Sequence, residues 1–261
     1  MHDDPAISEV PALETVRELY ARDGIVRLGK TVDDGTLATL RARSEAIMRG
    51  EAPDLDLFFQ HDSEDGTYAS LRRGEGWVGP SARYRKIEKL ERDPLFRALL
   101  THPNHERVVR AFVDGPVHLY RAVLFHKAPG TSSPIPWHQD GGTFWGLSEE
   151  PSVQIWTALD DAPIASGCVE AIPGTHVHGL ATRLGGVVPD DVAARADAEA
   201  RAIPFPAKAG ESLLIHNMVW HRSGANRTAL PRRGFTVCYL HAGVRCLRKK
   251  RAPRVFPLVF P

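Results

Sequence analysis

The feature that most constrains the fold is a change of texture after Gly115, where short β-rich segments begin to alternate with turns. Pro173-Gly174-Thr175 and Ala209-Gly210-Glu211 mark two of these turns, because Pro and Gly are the strongest local breaks in regular structure. Several short strands separated in this way are typical of a sandwich or a barrel. The predicted strands cover residues 117–127, 153–158, 167–172, 212–215 and 235–240.

The segment before Gly115 is predicted to be mainly helical, because its apolar residues recur at helical spacing. Residues 51–84 are polar, Gly-rich and irregular, which is typical of a functional or mobile loop. We therefore expect one domain over residues 1–261, with a helical front at 1–114 and a β core at 115–261. The expected elements outside the core strands are a helix within 6–29 that ends at Gly24, a short strand at 25–28, a helix capped by Asp33 or Asp34 that stops at Gly50, a helix from Pro94 or Leu95 to Leu100, a helix across 106–112, and an inserted helix at 190–201.

Composition excludes several classes of protein. The formal net charge is +1, so nothing favours nucleic acid as a partner, and the basic stretch 245–254 is predicted to be a solvated tail. Three cysteines without a Cys-x-x-Cys spacing argue against a disulfide framework and fit a reducing cytosol. The acidic amino terminus resembles no secretory signal and no apolar run approaches bilayer length, so we expect a cytoplasmic protein without membrane contact.

One short motif points to chemistry. His138 and Asp140 stand two residues apart, and in an extended strand that spacing puts both side chains on the same face. Two ligands are too few to hold a metal ion, and His221 is a good candidate for a third. Two imidazoles and one carboxylate form the facial triad of non-haem Fe(II) oxygenases. The alternative is that a bare His-x-Asp is an ordinary polar pair, because such pairs are common.

An arginine enters the strand that follows residues 226–231, and inside a barrel its guanidinium needs an anionic partner. A dicarboxylic cosubstrate would supply one, with its other end on the metal.

These motifs together resemble the phytanoyl-CoA dioxygenase (PhyH) family over roughly residues 115–242. The resemblance rests on Pro136-Trp137-His138-Gln139-Asp140, Trp156-Thr157-Ala158-Leu159-Asp160-Asp161, Ser166-Gly167-Cys168-Val169, Ile172-Pro173-Gly174-Thr175-His176, His221-Arg222-Ser223-Gly224-Ala225-Asn226 and Arg232-Arg233. It departs from the family at Lys127-Ala128-Pro129-Gly130, where Lys-Pro-Gly is usual, and around Arg121 and Phe125.

The resemblance implies a mainly β fold with flanking helices, built on a double-stranded β-helix (jelly-roll, cupin-like) core. It also implies Fe(II), 2-oxoglutarate and O2. His138, Asp140 and His221 match the iron ligands, which makes them the catalytic centre. Arg232 matches the arginine that binds the distal carboxylate of 2-oxoglutarate, Ser223 its hydroxyl partner, and Trp156 a tryptophan near the cosubstrate. Arg233 is expected on the other face as a surface residue. Tyr120, Arg121 and His126 are candidates for completing the cosubstrate and substrate pocket, but each is expected to be an ordinary structural residue.

The resemblance therefore favours a dioxygenase that hydroxylates a C–H bond of a small molecule. Desaturation, ring closure or epimerisation by the same oxidant stay open, whereas an intact carboxylate at Asp140 argues against halogenation. A metal- and ligand-binding barrel without turnover is the alternative from another class, since fold does not dictate chemistry. Phe144, Trp145 and Trp220 suggest an apolar or ring-bearing substrate, and a specialised metabolite is preferred. Segments 51–84 and 185–200 are the expected substrate-selecting lids, and the oligomeric state is open.

Overall fold

Two antiparallel sheets enclose the cavity described below. The structure is a computed structural model and describes residues 10–130, 132–151, 153–248 and 254–261. The larger sheet has the order β1-β10-β6-β12-β4-β3-β2, with β13 paired to the start of β4, and the smaller has the order β8-β5-β11-β7-β9. The strands are β1 Ile25–Lys30, β2 Phe58–His61, β3 Tyr84–Glu88, β4 Val117–Lys127, β5 Ile135–Gln139, β6 Val153–Ala158, β7 Val169–Ile172, β8 Gly186–Val187, β9 Ile203–Phe205, β10 Glu211–Ile215, β11 Trp220–Ser223, β12 Arg232–His241 and β13 Leu258–Phe260.

Four helices from the first part of the chain cover the outer face of the larger sheet. Their ends follow local rules: Asp33 and Asp93 accept backbone N–H groups at the starts of the second and third helices, and Gly24, at φ 72°, ends the first. The helices are α1 Leu13–Asp23, α2 Asp34–Met48, α3 Pro94–Leu100 and α4 Pro103–Arg110; α5 Asp190–Arg195 and α6 Ala198–Arg201 lie later in the chain. In the part of the chain described, no helix is long and apolar enough to cross a bilayer.

Alternation along the central strands separates a dry core from the cavity. On β12, Phe235 and Val237 join the apolar core that also contains residues of α1 to α4. Arg232 and Thr236, on the opposite face of the same strand, line the cavity between the sheets. One face of β12 therefore packs against the helices, and its opposite face presents polar groups to the smaller sheet.

The mainly β fold with flanking helices and an antiparallel jelly-roll core is confirmed. Three details of the sequence prediction were wrong. The front segment contributes three strands to the larger sheet as well as its helices, and one of them, β2, lies inside the supposedly irregular 51–84 stretch. The inserted helix at 190–201 is broken in two where Asp197 adopts a left-handed φ of 51°.

The third concerns the basic stretch 245–254, which is not simply a solvated tail. Residues 249–253 lie outside the described part, but Arg254 packs over the rings of Tyr120 and Phe256. The chain then closes with β13 against β4. A single domain divided at residues 114 and 115 stays a prediction.

Candidate metal centre and its cavity

Three side chains converge on one point at the smaller sheet. His138 on β5 and His221 on β11 are direct cross-strand partners, and their ring centroids lie 4.0 Å apart. Asp140 follows β5, and its Oδ2 lies 3.5 Å from Nε2 of His221. One potential ligand atom from each residue lies within 4.8 Å of the others, and no other group of His, Cys, Asp and Glu in the described ranges meets this condition. Both histidines lie within their strands.

Backbone contacts orient both imidazoles. Nδ1 of His138 is 2.9 Å from the carbonyl of Pro136, and Nδ1 of His221 is 2.9 Å from the carbonyl of Val219. Because a carbonyl can only accept, Nδ1 carries the proton and Nε2 keeps its lone pair, which is the arrangement of a metal-bound histidine. Burial, and then the neighbouring His221, lower the pKa of His138 to about 4, so its ring is neutral near pH 7. This donor set fits a divalent metal ion.

Asp140 is held as a carboxylate from several sides. Its Oδ1 accepts from Nη2 of Arg121 at 3.2 Å, and its Oδ2 accepts from Nε2 of Gln154 at 2.9 Å. Burial acts to raise the pKa of Asp140, but the positive charge of Arg121 outweighs it and helps to hold that pKa well below its usual range. The side-chain amide of Asn217 donates to the Asp140 carbonyl, and the Asp140 N–H donates to the Asn217 carbonyl. The backbone of the ligand is therefore fixed as well.

Gln154 is itself oriented by a buried thiol. Sγ of Cys238 donates to Oε1 of Gln154 at 2.8 Å, which leaves the amide nitrogen facing Asp140. Burial raises the pKa of Cys238 to about 12, so the thiol keeps the proton that it donates. Neither residue was singled out from the sequence, because nothing local distinguishes a Gln or a Cys on a strand from an ordinary core residue.

We expect Gln154→Leu to lower iron affinity by about 10- to 100-fold, because outer contacts that orient a ligand are worth that much. Affinity would be measured by competition with a chromogenic chelator. Gln60→Leu, which alters a glutamine on β2 that contacts Arg85, is the matched control and should leave the affinity unchanged. An unaltered affinity in Gln154→Leu would contradict the orienting role.

A cavity extends from the metal centre between the two sheets. Its wall is mainly apolar, with Phe125, Ile135, Val169 and Ile215 from four different strands. Such a wall excludes water from whatever binds beside the metal.

Two polar groups in this cavity have unmet hydrogen-bonding capacity. Arg232 is 2% exposed, and its Nη2 donates to the carbonyl of Gly167, but its Nε has no partner among the described residues. No carboxylate of the described chain forms an ion pair with it, and burial lowers its pKa to about 10. The Ser223 hydroxyl is also buried and without a partner. Since an unpaired buried guanidinium is costly, both groups fit a ligand that brings a carboxylate.

Trp156 lies beside this pair of groups. The Arg232 guanidinium carbon is 5.9 Å from the centroid of the indole ring. Gly234, between the two, makes the approach possible, because a Cβ there would lie 2.4 Å from Nε1 of Trp156. Arg232, Ser223 and Trp156 thus line the same cavity as His138, Asp140 and His221.

Arg233 is not the surface residue that the sequence suggested. It does face away from Arg232, but it is 5% exposed and forms a two-pronged ion pair with Asp160, at 2.7 and 2.9 Å, and a further pair with Glu45 of α2. Strand alternation therefore predicted correctly that the two arginines face opposite ways. The burial of Arg233 was not predicted, because the helix α2 that covers it could not be placed from local sequence.

The other aromatic and histidine candidates separate into three groups. Phe144 is 61% exposed, Trp145 is buried against Tyr120, and Trp220 packs in a cluster with Trp137 on the smaller sheet. None of them lines the cavity. The structural role expected for His126 and Tyr120 agrees with their backbone hydrogen bonds. His216 lies five residues before His221, but it packs against Tyr20 and His176 rather than the metal centre.

Comparison with known proteins yields a consistent picture. The model of the family "Phytanoyl-CoA dioxygenase (PhyH)" matches residues 20–234. The chain is 26% identical over 243 residues to the L-proline trans-4-hydroxylase of Streptomyces griseoviridis, which covers 84% of this chain and 83% of that protein. It is 30% identical over 152 residues to the zebrafish (Danio rerio) phytanoyl-CoA dioxygenase domain-containing protein 1, which covers 55% of this chain and about half, 52%, of that relative.

Solved structures agree on the fold. The α-ketoglutarate-dependent carbocyclase SnoK from nogalamycin biosynthesis superposes with a TM-score of 0.74 at 20% identity and covers 98% of this chain and 99% of that chain. EctD from S. alaskensis, solved with 2-oxoglutarate and 5-hydroxyectoine, gives 0.72 at 17% identity, with coverages of 96% and 85%. At these identities the similarity establishes the shared architecture.

Proposed function

Because this chain belongs to the phytanoyl-CoA dioxygenase family of Fe(II)- and 2-oxoglutarate-dependent oxygenases, we propose that it hydroxylates, or otherwise oxidises, an unactivated C–H bond of a small molecule. His138, Asp140 and His221 hold Fe(II) in this proposal. An iron bound there supplies the activation of O2 and the oxidative decarboxylation of 2-oxoglutarate that the oxidation needs.

One observation carries the proposal. The cavity that contains the three metal-binding side chains also contains a buried guanidinium and a buried hydroxyl with unused hydrogen bonds, Arg232 and Ser223. A protein that only bound a metal ion would have no use for an unpaired buried cation. A diacid with one end at the metal and the other at Arg232 satisfies both groups, and 2-oxoglutarate is such a diacid.

Each residue then has a defined task. Arg232 binds the distal carboxylate and Ser223 donates a second hydrogen bond to it. Trp156 packs along the cosubstrate beside Gly234. Asp140 keeps one position on the metal, which favours hydroxylation over halogenation. The apolar wall of Phe125, Ile135 and Ile215 excludes water, so that the oxidant meets substrate rather than solvent.

The substrate is proposed to be a specialised metabolite or another compact small molecule. Support comes from the match to a proline hydroxylase over 84% of the chain and from the limited size of the cavity. Cys168, Cys238 and Cys246 are free thiols, which supports a reducing compartment such as the cytoplasm.

The direct test is succinate release from 2-oxoglutarate. Protein reconstituted with Fe(II) and ascorbate should consume O2 and release succinate, slowly without substrate, and Zn(II)-loaded protein should do neither, because zinc has no redox chemistry. Protein that binds both iron and 2-oxoglutarate but releases no succinate would instead be a metal- and ligand-binding jelly roll without turnover.

A further inference from the structure

A charged pair stands on the strand next to the cavity wall. Lys86 and Glu88 of β3 lie directly opposite Phe125 and Val123 of β4. Cross-strand partners share a face of the sheet, and Phe125 lines the cavity. Lys86 and Glu88 therefore lie on the cavity-facing side of the larger sheet, beside Phe125 and on the side of β4 away from β12 and Arg232.

The ammonium group of Lys86 is largely withdrawn from water. Its side chain is 20% exposed, it forms an ion pair with Glu88, and Nζ lies 5.8 Å from the centroid of the Phe125 ring. Burial lowers the pKa of Lys86, as does Arg121, while Glu88 and Asp140 act in the opposite direction. Lys86 thus lies next to a side chain of the cavity wall, and Arg121 of the neighbouring strand β4 donates to Asp140 of the metal centre.

Positive charge exceeds negative charge in this region. Burial acts to raise the pKa of Glu88, but Lys86, Arg121 and Arg254 together hold it below its usual value. Among the described residues, Lys86 forms an ion pair with Glu88 and Arg121 forms one with Asp140, whereas Arg254 forms none. Asp140 is committed to the metal in the proposed function. In addition, the buried Nε of Arg121 has no hydrogen-bond partner within the described ranges.

We infer that the substrate is an organic anion whose carboxylate binds at Lys86 and Arg121, with its apolar part against Phe125; this inference rests on the proposed function. Lys86 has already lost most of its hydration, so a substrate carboxylate can pair with its ammonium group without a large further desolvation cost. Glu88 neutralises Lys86 while the site is empty and competes with the substrate carboxylate.

The experiment uses pairs of probes that share a skeleton and differ only in charge. L-Proline is compared with L-prolinamide, and cyclohexanecarboxylate with cyclohexanecarboxamide. Each is titrated calorimetrically into anaerobic protein loaded with Fe(II) and 2-oxoglutarate. At least one carboxylate should bind about tenfold more tightly than its amide, and this preference should shrink at high salt.

Two variants make the inference specific. Lys86→Met should weaken carboxylate binding about tenfold, and Glu88→Gln, which removes the competing carboxylate, should strengthen it several-fold. If Lys86 and Glu88 were only a structural ion pair, both changes should weaken carboxylate binding. Lys208→Met, at an exposed lysine paired with Asp161 far from the cavity, is the matched control and should change nothing.

Three results would overturn the inference: no carboxylate binding more tightly than its amide, both variants shifting affinity in the same direction, or Lys86→Met acting on the Kd of 2-oxoglutarate instead of the probe. The visible absorption of the iron–2-oxoglutarate complex is recorded first in each sample. Its absence counts against the proposed function, whereas its presence without a carboxylate preference counts only against the inferred substrate class.

Discussion

His221→Ala should lose iron binding almost completely, with affinity more than about 100-fold below that of the unaltered protein. His221 supplies one of two imidazoles, and the remaining His138 and Asp140 are neighbours on one strand end that contact a cation from one side only. Succinate release should fall in proportion to the iron lost. Iron content after gel filtration, measured by plasma emission, is the primary readout.

His216→Gln is the control for this result. His216 lies five residues before His221 and is also a partly buried imidazole, but its Nδ1 accepts from the Met218 N–H and its ring faces Tyr20 and His176. It should retain full iron binding. Iron retained in His221→Ala, or lost in His216→Gln, would show that the third ligand has been assigned to the wrong histidine.

Arg232→Met should abolish 2-oxoglutarate binding while leaving the fold as stable as before, or more stable. Truncating one partner of a buried, hydrogen-bonded charge pair costs about 2–5 kcal/mol of binding, which corresponds to a 30-fold to several-thousand-fold rise in Kd. The free protein, in contrast, loses a buried cation that has no carboxylate partner among the described residues, and replacing such a group with an apolar one is often neutral or stabilising. Calorimetric titration and chemical unfolding measure the two effects separately.

The adjacent arginine provides the contrast. Arg233→Met removes the two-pronged partner of Asp160, whose side chain is only 15% exposed and would keep only Arg41 at 3.1 Å. This should destabilise the fold by about 1–3 kcal/mol. Its effect on the Kd of 2-oxoglutarate at a temperature where the protein is folded should be small, because Arg233 faces α2 rather than the cavity. If Arg232→Met proved the more destabilising of the two, Arg232 would be a structural cation and the assignment of a cosubstrate clamp would be wrong.

How much of the site follows from sequence depends on how local the signal is. His138 and Asp140 follow from a two-residue spacing on an extended segment, and the opposite facing of Arg232 and Arg233 follows from strand alternation. Arg121, Gln154 and Lys86 could not be chosen in this way. Their importance comes from which strands pair and in what register, and the neighbour of each lies 14 or more residues away in the chain.

The fold shows the same division. The long strands β4 and β6 match their predicted ranges, because each is a continuous β-rich run. β2 was missed because only four residues, Phe58–His61, pair with β3 inside a polar, Gly-rich stretch. Likewise, the helix predicted at 190–201 ends early because Asp197 turns to a left-handed conformation that no helical pattern reveals.

The most direct test of the metal-and-diacid site is the visible absorption of the protein under anaerobic conditions with Fe(II) and 2-oxoglutarate. We expect a weak absorption band that requires both additions, titrates to one 2-oxoglutarate per protein, and is absent from His221→Ala and from Arg232→Met at the same 2-oxoglutarate concentration. Two results would contradict the account: stoichiometric iron binding without that band, or a band in Arg232→Met that titrates with an unchanged affinity for 2-oxoglutarate.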